Sequence, residues 1–467
     1  MAIDPTGASP ELSRRSVLTG VLGIGAAALA SPLLSACSSG NGTPGAISAS
    51  GTNSATSSSS GTMSVINRWS DPVSKKSFET LIAEFKAATG IDMSNQVLPD
   101  NGATYTPALR AALSSSNPPT LAVEVAGPEV FSFASAGQLA DLSETYNKIK
   151  TRANSAATLG TTLDGKVYGL ASGPYVGNFM AYNADYLGKL GISPADLVDT
   201  NGFNAALKEI KASGGQALTI GLKDQWPGGH YLGFIMQRRL GSDKCTQLYN
   251  RTVIAGQPDD IKWTDEQVVQ SFQDFVDLTP YFQDGFLGED QATSTSSFLS
   301  GKNVAFLLGA PGLGQLISSP PPFTYGQFLY PAVNGGEGNP KDVTLYNQVF
   351  VASKNADTSQ LDAFFEYFTR PDVQSRWASG QFCVSAYAYD KASVTVDPAV
   401  ATLYANQLQW LAEAPAAALF NDELIDVNIY TKYIWQGSVG LASKAISPAE
   451  LASQLESATV AAQSKLT

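Results

Sequence analysis

The chain reads as an α/β protein with more than one core. Short β-prone apolar runs alternate with segments whose apolar residues recur every three or four positions, the pattern of parallel strands covered by helices. A length of 467 residues with 43% hydrophobic content is too much for one ordinary domain and suits two or three.

The elements follow in order. Ser64 to Trp69 is a strand by β-propensity. Phe78, Leu81, Ile82 and Phe85 then form one apolar helix face, which Gly90 ends. Ile91 to Leu98 reads as a second strand, Pro107 to Leu113 as a short helix and Leu121 to Val125 as a third strand. Ligands of such sheets sit beyond the carboxyl ends of the strands. Those ends are Trp69-Ser70-Asp71, Asp100-Asn101-Gly102 and Glu124 to Gly127. Asn178 to Asn183 looks like a strand crossing into a new lobe, and Leu218 to Leu222 is another, leading to the loop Asp224-Gln225-Trp226-Pro227. Phe298 to Leu307 reads as helix end, turn and strand, and Gln348 to Ala352 as a further strand. Helices are expected over Leu361 to Phe368, Val373 to Ala378, Pro398 to Leu408 and Pro448 to Gln463.

Composition excludes several classes. The net charge of −12 disfavours nucleic-acid binding, which needs clustered Lys and Arg. His230 is the one histidine, and no Gly-x-Ser-x-Gly elbow lies near it. There is no Cys/His cluster of zinc spacing and no phosphate-binding glycine loop, so neither a cofactor nor a metal is expected. Cys245 and Cys383 are either small buried thiols or, after export, a disulfide.

The N-terminus is a targeting segment. Arg14-Arg15 precedes an uncharged run from Ser16 to Ala36, and small residues lead into Cys37. The whole resembles a twin-arginine signal (1–36) fused to a lipoprotein box, which implies a diacylglycerol on Cys37. Gly20, Gly23, Gly25 and Pro32 weaken the alternative of a retained span. Residues 37–62, rich in Ser, Gly and Thr, form a tether reaching roughly 25–30 Å. Anchoring thus places the protein outside the cytoplasm, on the outer face of the cytoplasmic membrane.

Several segments resemble the family 1 extracellular solute-binding proteins, the maltose-binding-protein-like carbohydrate-binding subunits of bacterial ABC importers. They are Phe85 to Ile91, Pro118 to Leu121, Gly165 to Leu170, Tyr182 to Asp185, Phe298 to Ala305 and Ser353 to Asp357. The chain departs from the family at Ala171 to Pro174 and Phe382 to Ser385. The resemblance implies a two-lobed periplasmic-binding-protein-like fold of type II. Each lobe is then a mainly parallel sheet flanked by helices, with lobe one at 63–174 and 296–345 and lobe two at 175–295 and 346–467. It also implies a carbohydrate bound between the lobes, ABC permease partners and a monomer acting by hinge closure.

A sugar site wants aromatic plates and paired polar groups. Trp69, Asp71, Asn101 and Glu124 stand at strand ends; Tyr175 and Asn178 stand at the crossing. Asp224 and Trp226 follow a strand, and Tyr346 and Asn347 precede one. Each also has a plainer reading. Trp69 is equally a core residue, Asp71 a helix cap before Pro72, and Glu124 the partner of a local base. Trp377 and His230 read as structural, and one of Trp410 and Trp435 as reaching the cleft. The competing classes are an anchored glycosidase or lyase using a pair such as Asp71 and Glu124, and a binding protein for a non-sugar solute or one that serves a sensor.

The signal makes the first expected outcome. Replacing Arg14 and Arg15 together by lysine should block export, read by fractionation; normal export would refute the twin-arginine assignment.

Overall fold

The structure, a computed structural model, describes residues 62–98, 105–301, 304–308, 316–317 and 319–466. Arg14, Arg15, Cys37, Asn101 and the tether up to residue 61 lie outside the described residues. Among those described, no helix is long and apolar enough to cross a membrane.

The strands are β1 (Met63–Asn67), β2 (Met93–Val97), β3 (Leu121–Val125), β4 (Thr162–Leu163), β5 (Lys166–Val167), β6 (Leu170–Ala171), β7 (Tyr175–Val176), β8 (Phe179–Asn183), β9 (Gln216–Thr219), β10 (Val304–Leu308), β11 (Tyr325–Leu329), β12 (Val343–Tyr346), β13 (Gln348–Ala352) and β14 (Ala417–Leu419). A five-stranded sheet runs β2-β1-β3-β13-β6, and a four-stranded sheet β11-β8-β10-β9. Pairing is parallel among β2, β1 and β3 and between β10 and β9. The strands β13 and β8 run antiparallel to their neighbours.

The first sheet is covered on both faces, and strand periodicity decides which residue goes where. Val65, Leu121, Val123 and Phe350 pack into one core with the helices Pro72–Thr89, Thr358–Phe368 and Pro371–Gln381. Ile66, Ala122, Val349 and Val351 pack into another with Tyr105, Leu109, Val130 and Phe133. The helix Pro72–Thr89 starts as its sequence suggests. Asp71 accepts from the amides of Val73 and Ser74, and Gly90 closes it at φ 75°.

The second sheet packs into a larger core, which draws in Leu218, Leu232, Phe272, Phe306 and, from the C-terminal segment, Phe420, Ile434 and Leu455. The expected boundaries therefore shift. Val304–Leu308 and Tyr325–Leu329, assigned above to lobe one within 296–345, flank β8 in the second sheet. The segment 346–381, assigned to lobe two, supplies β13 and two helices to the first sheet. Both strands are apolar and β-prone, and only the edge each one meets distinguishes them.

Where the chain passes between the halves, β7, β12 and β14 pair into a small sheet of their own. Its pairing sets Tyr346 opposite Tyr175 and Leu345 opposite Leu419. Asn178, fully buried, staples this crossing: its side chain donates to Gln237 Oε1 and the Asp342 carbonyl and accepts from the Thr344 amide. Cys245 and Cys383 are buried, unbridged thiols, and burial pushes each up to about 12, far from a reactive thiolate.

Trp69 belongs to the first core. It makes edge contacts with Phe78, Phe350 and Trp377 at 4.9, 5.8 and 5.3 Å, and its Nε1 donates to Gln348 Oε1 at 2.7 Å. Trp377, 3% exposed, shares that core as expected. Trp69→Ala should cost about 3–5 kcal/mol of unfolding free energy, as for other buried aromatic truncations, measured by urea denaturation. A loss below about 1 kcal/mol would contradict the core role.

Candidate functional site

The parity that sends Trp69 into the core sends Arg68 the other way. Ile66 is in register with Ala122, and two residues on, Arg68 meets Glu124. The two are 4% and 1% exposed, with Arg68 Nη2 3.6 Å from Glu124 Oε1. The Arg68 guanidinium also lies 4.3 Å over the Tyr105 ring, and its Nη1 donates to the Tyr346 hydroxyl at 3.3 Å. Glu124 Oε1 accepts from the Val125 amide.

Just beyond β3 the chain turns at Gly127 into the helix Pro128–Ser135. Gly127 has φ 98°, and a Cβ there would lie 1.9 Å from the Glu423 carbonyl oxygen. Glycine is thus required where the first half meets the 420–430 segment. In the first turn, Glu129 faces Arg110 Nη2 at 3.3 Å and accepts from the Tyr430 hydroxyl at 3.3 Å.

The opposite wall comes from residues some 300 positions later. A short π-helical turn, Tyr430–Trp435, sets the two rings 5.0 Å apart. His230 Nε2 lies 3.0 Å from Asp422 Oδ2. Its ring packs on Phe420 at 4.4 Å and on half-buried Trp226 at 5.0 Å. Phe420 meets Tyr346 at 5.8 Å, and Tyr346 meets Tyr175, 38% exposed, at 5.1 Å. An arc of aromatic rings thus borders a group of carboxylates. Glu423, 1% exposed, accepts from the Asn347 amide through Oε1.

Burial dominates the electrostatics. It pushes Glu129 up to about 7, helped by the charge of Glu124 and opposed by Arg110, Tyr430 and Arg68. Glu423 is pushed well above the carboxylate range by burial and then by Asp422. Tyr430 is raised as well, by burial and by the charges of Glu129, Asp422 and Glu124. Among the described residues, no group of three or more His, Cys, Asp or Glu is arranged to hold a metal.

Of the residues expected from sequence, Glu124, Tyr175, Trp226 and Tyr346 come together here. Trp69 does not, being core. Asp71 is engaged as a helix cap. Asn178 is a buried staple. Asn347 is fully buried and its Nδ2 donates to the Leu159 carbonyl. Asp224 is exposed and accepts from the Gln291 amide at the start of the helix Gln291–Leu299. Arg68, Glu129, Phe420, Asp422, Glu423 and Tyr430 were not foreseen, and His230, expected to be structural, lines the arc. Strand parity at Arg68 and the first-turn acid after Pro128 were the available signals; nothing local marked residues 420–430. A separate groove of about 620 Å³ lies between Pro72–Thr89 and Pro371–Gln381. Its charges, such as Arg376 with Glu84, are exposed and pair with each other.

Two lobes joined by three crossing strands, with converging polar and aromatic groups between them, define a solute-binding protein. The model of the bacterial extracellular solute-binding protein family matches residues 80–402, and the chain belongs to that family. Among solved structures, a chitin oligosaccharide binding protein is similar at TM-score 0.73 and 19% identity, covering 86% of this chain and 99% of its own. A structure from work on xylan utilisation by the thermophilic bacterium Caldanaerobius polysaccharolyticus matches at TM-score 0.73 and 18% identity, over 85% and 99%. A sugar transporter from Bacillus licheniformis in complex with stachyose matches at TM-score 0.63 and 14% identity, over 87% and 100%. No curated protein matches by sequence.

The raised Glu129 makes stability pH-dependent. Its native value, about 7, exceeds its reference of 4.5, so the folded state holds the proton more tightly. That contribution is full below about 4.5 and is lost as pH rises through 7, on the order of 3 kcal/mol. Glu129→Gln should remove this difference: relative to wild type, its stability should gain steadily between pH 4.5 and 7 in urea titrations. Parallel profiles would refute the assignment.

Proposed function

We propose that this protein captures a sugar or oligosaccharide between its lobes and delivers it to the permease subunits of an ABC importer, while held to the outer face of the cytoplasmic membrane by a lipid on Cys37. The observation that carries the reading is the meeting of the arc Trp226–His230–Phe420–Tyr346–Tyr175 with buried Glu124 and half-buried Glu129 and Asp422. Ring faces suit the apolar C–H faces of sugars, and carboxylates accept hydroxyl protons in pairs. The chitin oligosaccharide and stachyose proteins supply supporting analogies for ligand class.

The mechanism is binding without chemistry. Tyr175 and Tyr346 belong to the crossing sheet, so a ligand touching them engages the hinge itself. Closure brings the 127–129 turn onto the 420–430 segment, as in the Glu129–Tyr430 contact. The Ser/Gly/Thr tether lets the monomeric body turn toward the transporter.

A panel of mono- and oligosaccharides should contain a member that raises the melting temperature, since a ligand of the native state stabilises it. That sugar should be recovered unchanged by chromatography after prolonged incubation. Turnover would overturn the binding-only reading. A panel without a hit, beside a shift from peptides, would overturn the carbohydrate reading.

A further inference from the structure

The cleft holds more carboxylate than it pairs. Glu124 faces Arg68 and Glu129 faces Arg110. Asp422 has His230 as its partner, and Glu423 accepts, among the described residues, from a backbone amide alone. Four carboxylates thus share two guanidinium groups. They lack the arrangement of a metal site.

A second observation concerns atoms rather than charges. Glu423 Oε2, Asp422 Oδ1 and Trp435 Nε1 are buried and have no hydrogen-bond partner among the described residues. Glu423 itself is 1% exposed. Leaving such atoms unmatched is costly unless a ligand matches them. Beside them stand the Tyr430 and Trp435 rings, with Tyr430 in the field of Glu124, Glu129 and Asp422.

Ring faces and carboxylates attract the same kind of ligand group, an organic cation. Resting on the carbohydrate reading above, we propose that the cleft selects a sugar that carries a protonated amine. Glu129 and Asp422 hold the ammonium beside Tyr430 and Trp435, and the tyrosines of the crossing sheet meet the sugar ring. A neutral sugar would bury the excess acid on closure without compensating it. A bound ammonium would oppose the upward push that burial exerts on Glu129 and Glu423.

Matched triads test this with the mature protein. Glucose, galactose, mannose and a β-1,4-linked glucose disaccharide are each compared as the hydroxyl, N-acetylamino and free-amino forms at C2, by calorimetry at pH 7.5. One free-amino form should bind about ten- to a hundred-fold more tightly than its two counterparts, the range of a charge-assisted hydrogen bond. The preference should shrink as salt rises. Glu129→Gln should weaken the free-amino form at least tenfold and its neutral counterparts by a smaller factor, so that the preference for the free-amino form shrinks; an equal loss for all three forms would overturn the amine proposal. Equal or tighter binding of a hydroxyl or N-acetyl form would overturn the amine proposal and leave the carbohydrate reading standing. Absence of binding across all triads overturns the amine proposal too. If the wider panel also contains no sugar that binds, the carbohydrate reading falls with it.

Discussion

A sheet covered on both faces leaves polar groups almost nowhere to go except the ends of its strands. This constraint organises the molecule. Along β1 and β3 the apolar residues point into one layer or the other, through Val65 and Val123 on one side and Ile66 and Ala122 on the other. The charged side chains Arg68 and Glu124 lie where the strands run out, and they meet because the strands are parallel and in register. The site is the place where the sheet can no longer bury apolar residues.

Once there, the charged groups govern each other. Water is largely excluded, so neighbouring carboxylates repel more strongly than at a surface. Burial, helped by the charge of Glu124, pushes Glu129 up to about 7, and burial, helped by Asp422, raises Glu423 as well. The hydrogen bond from Tyr430 to Glu129 ties this electrostatic centre to the geometry of the two halves. Proton binding and the contact between the two halves are therefore expressed through the same few atoms.

Much of the scaffold was legible in the chain. The helix from Pro72 was marked by an Asp-Pro start, an apolar repeat and Gly90, and each performs as its chemistry suggests. Glu124 stood out as a carboxylate between two valines. Trp69 and Arg68 show the limit of such reading. They are adjacent at a strand end, and a single step in parity decides which enters the core and which reaches the site. Without the register, the aromatic looked the better ligand plate. Asp71, Asn178 and Asn347 were plausible contacts by type, yet backbone groups already claim them. The lobe boundaries slipped for a similar reason: β10 and β13 are alike in composition, and their partners are set by open sheet edges.

By itself, the sequence determined the α/β class, the order of most elements, the helix caps and the acidic character, because these depend on local sterics and on counting charges. Only the tertiary structure decided which acids share one space. Arg68 reaches Tyr346 across 278 positions, and Glu129 meets Tyr430 across 301. Desolvation and Coulomb energies depend on distances through space, and no local pattern records those.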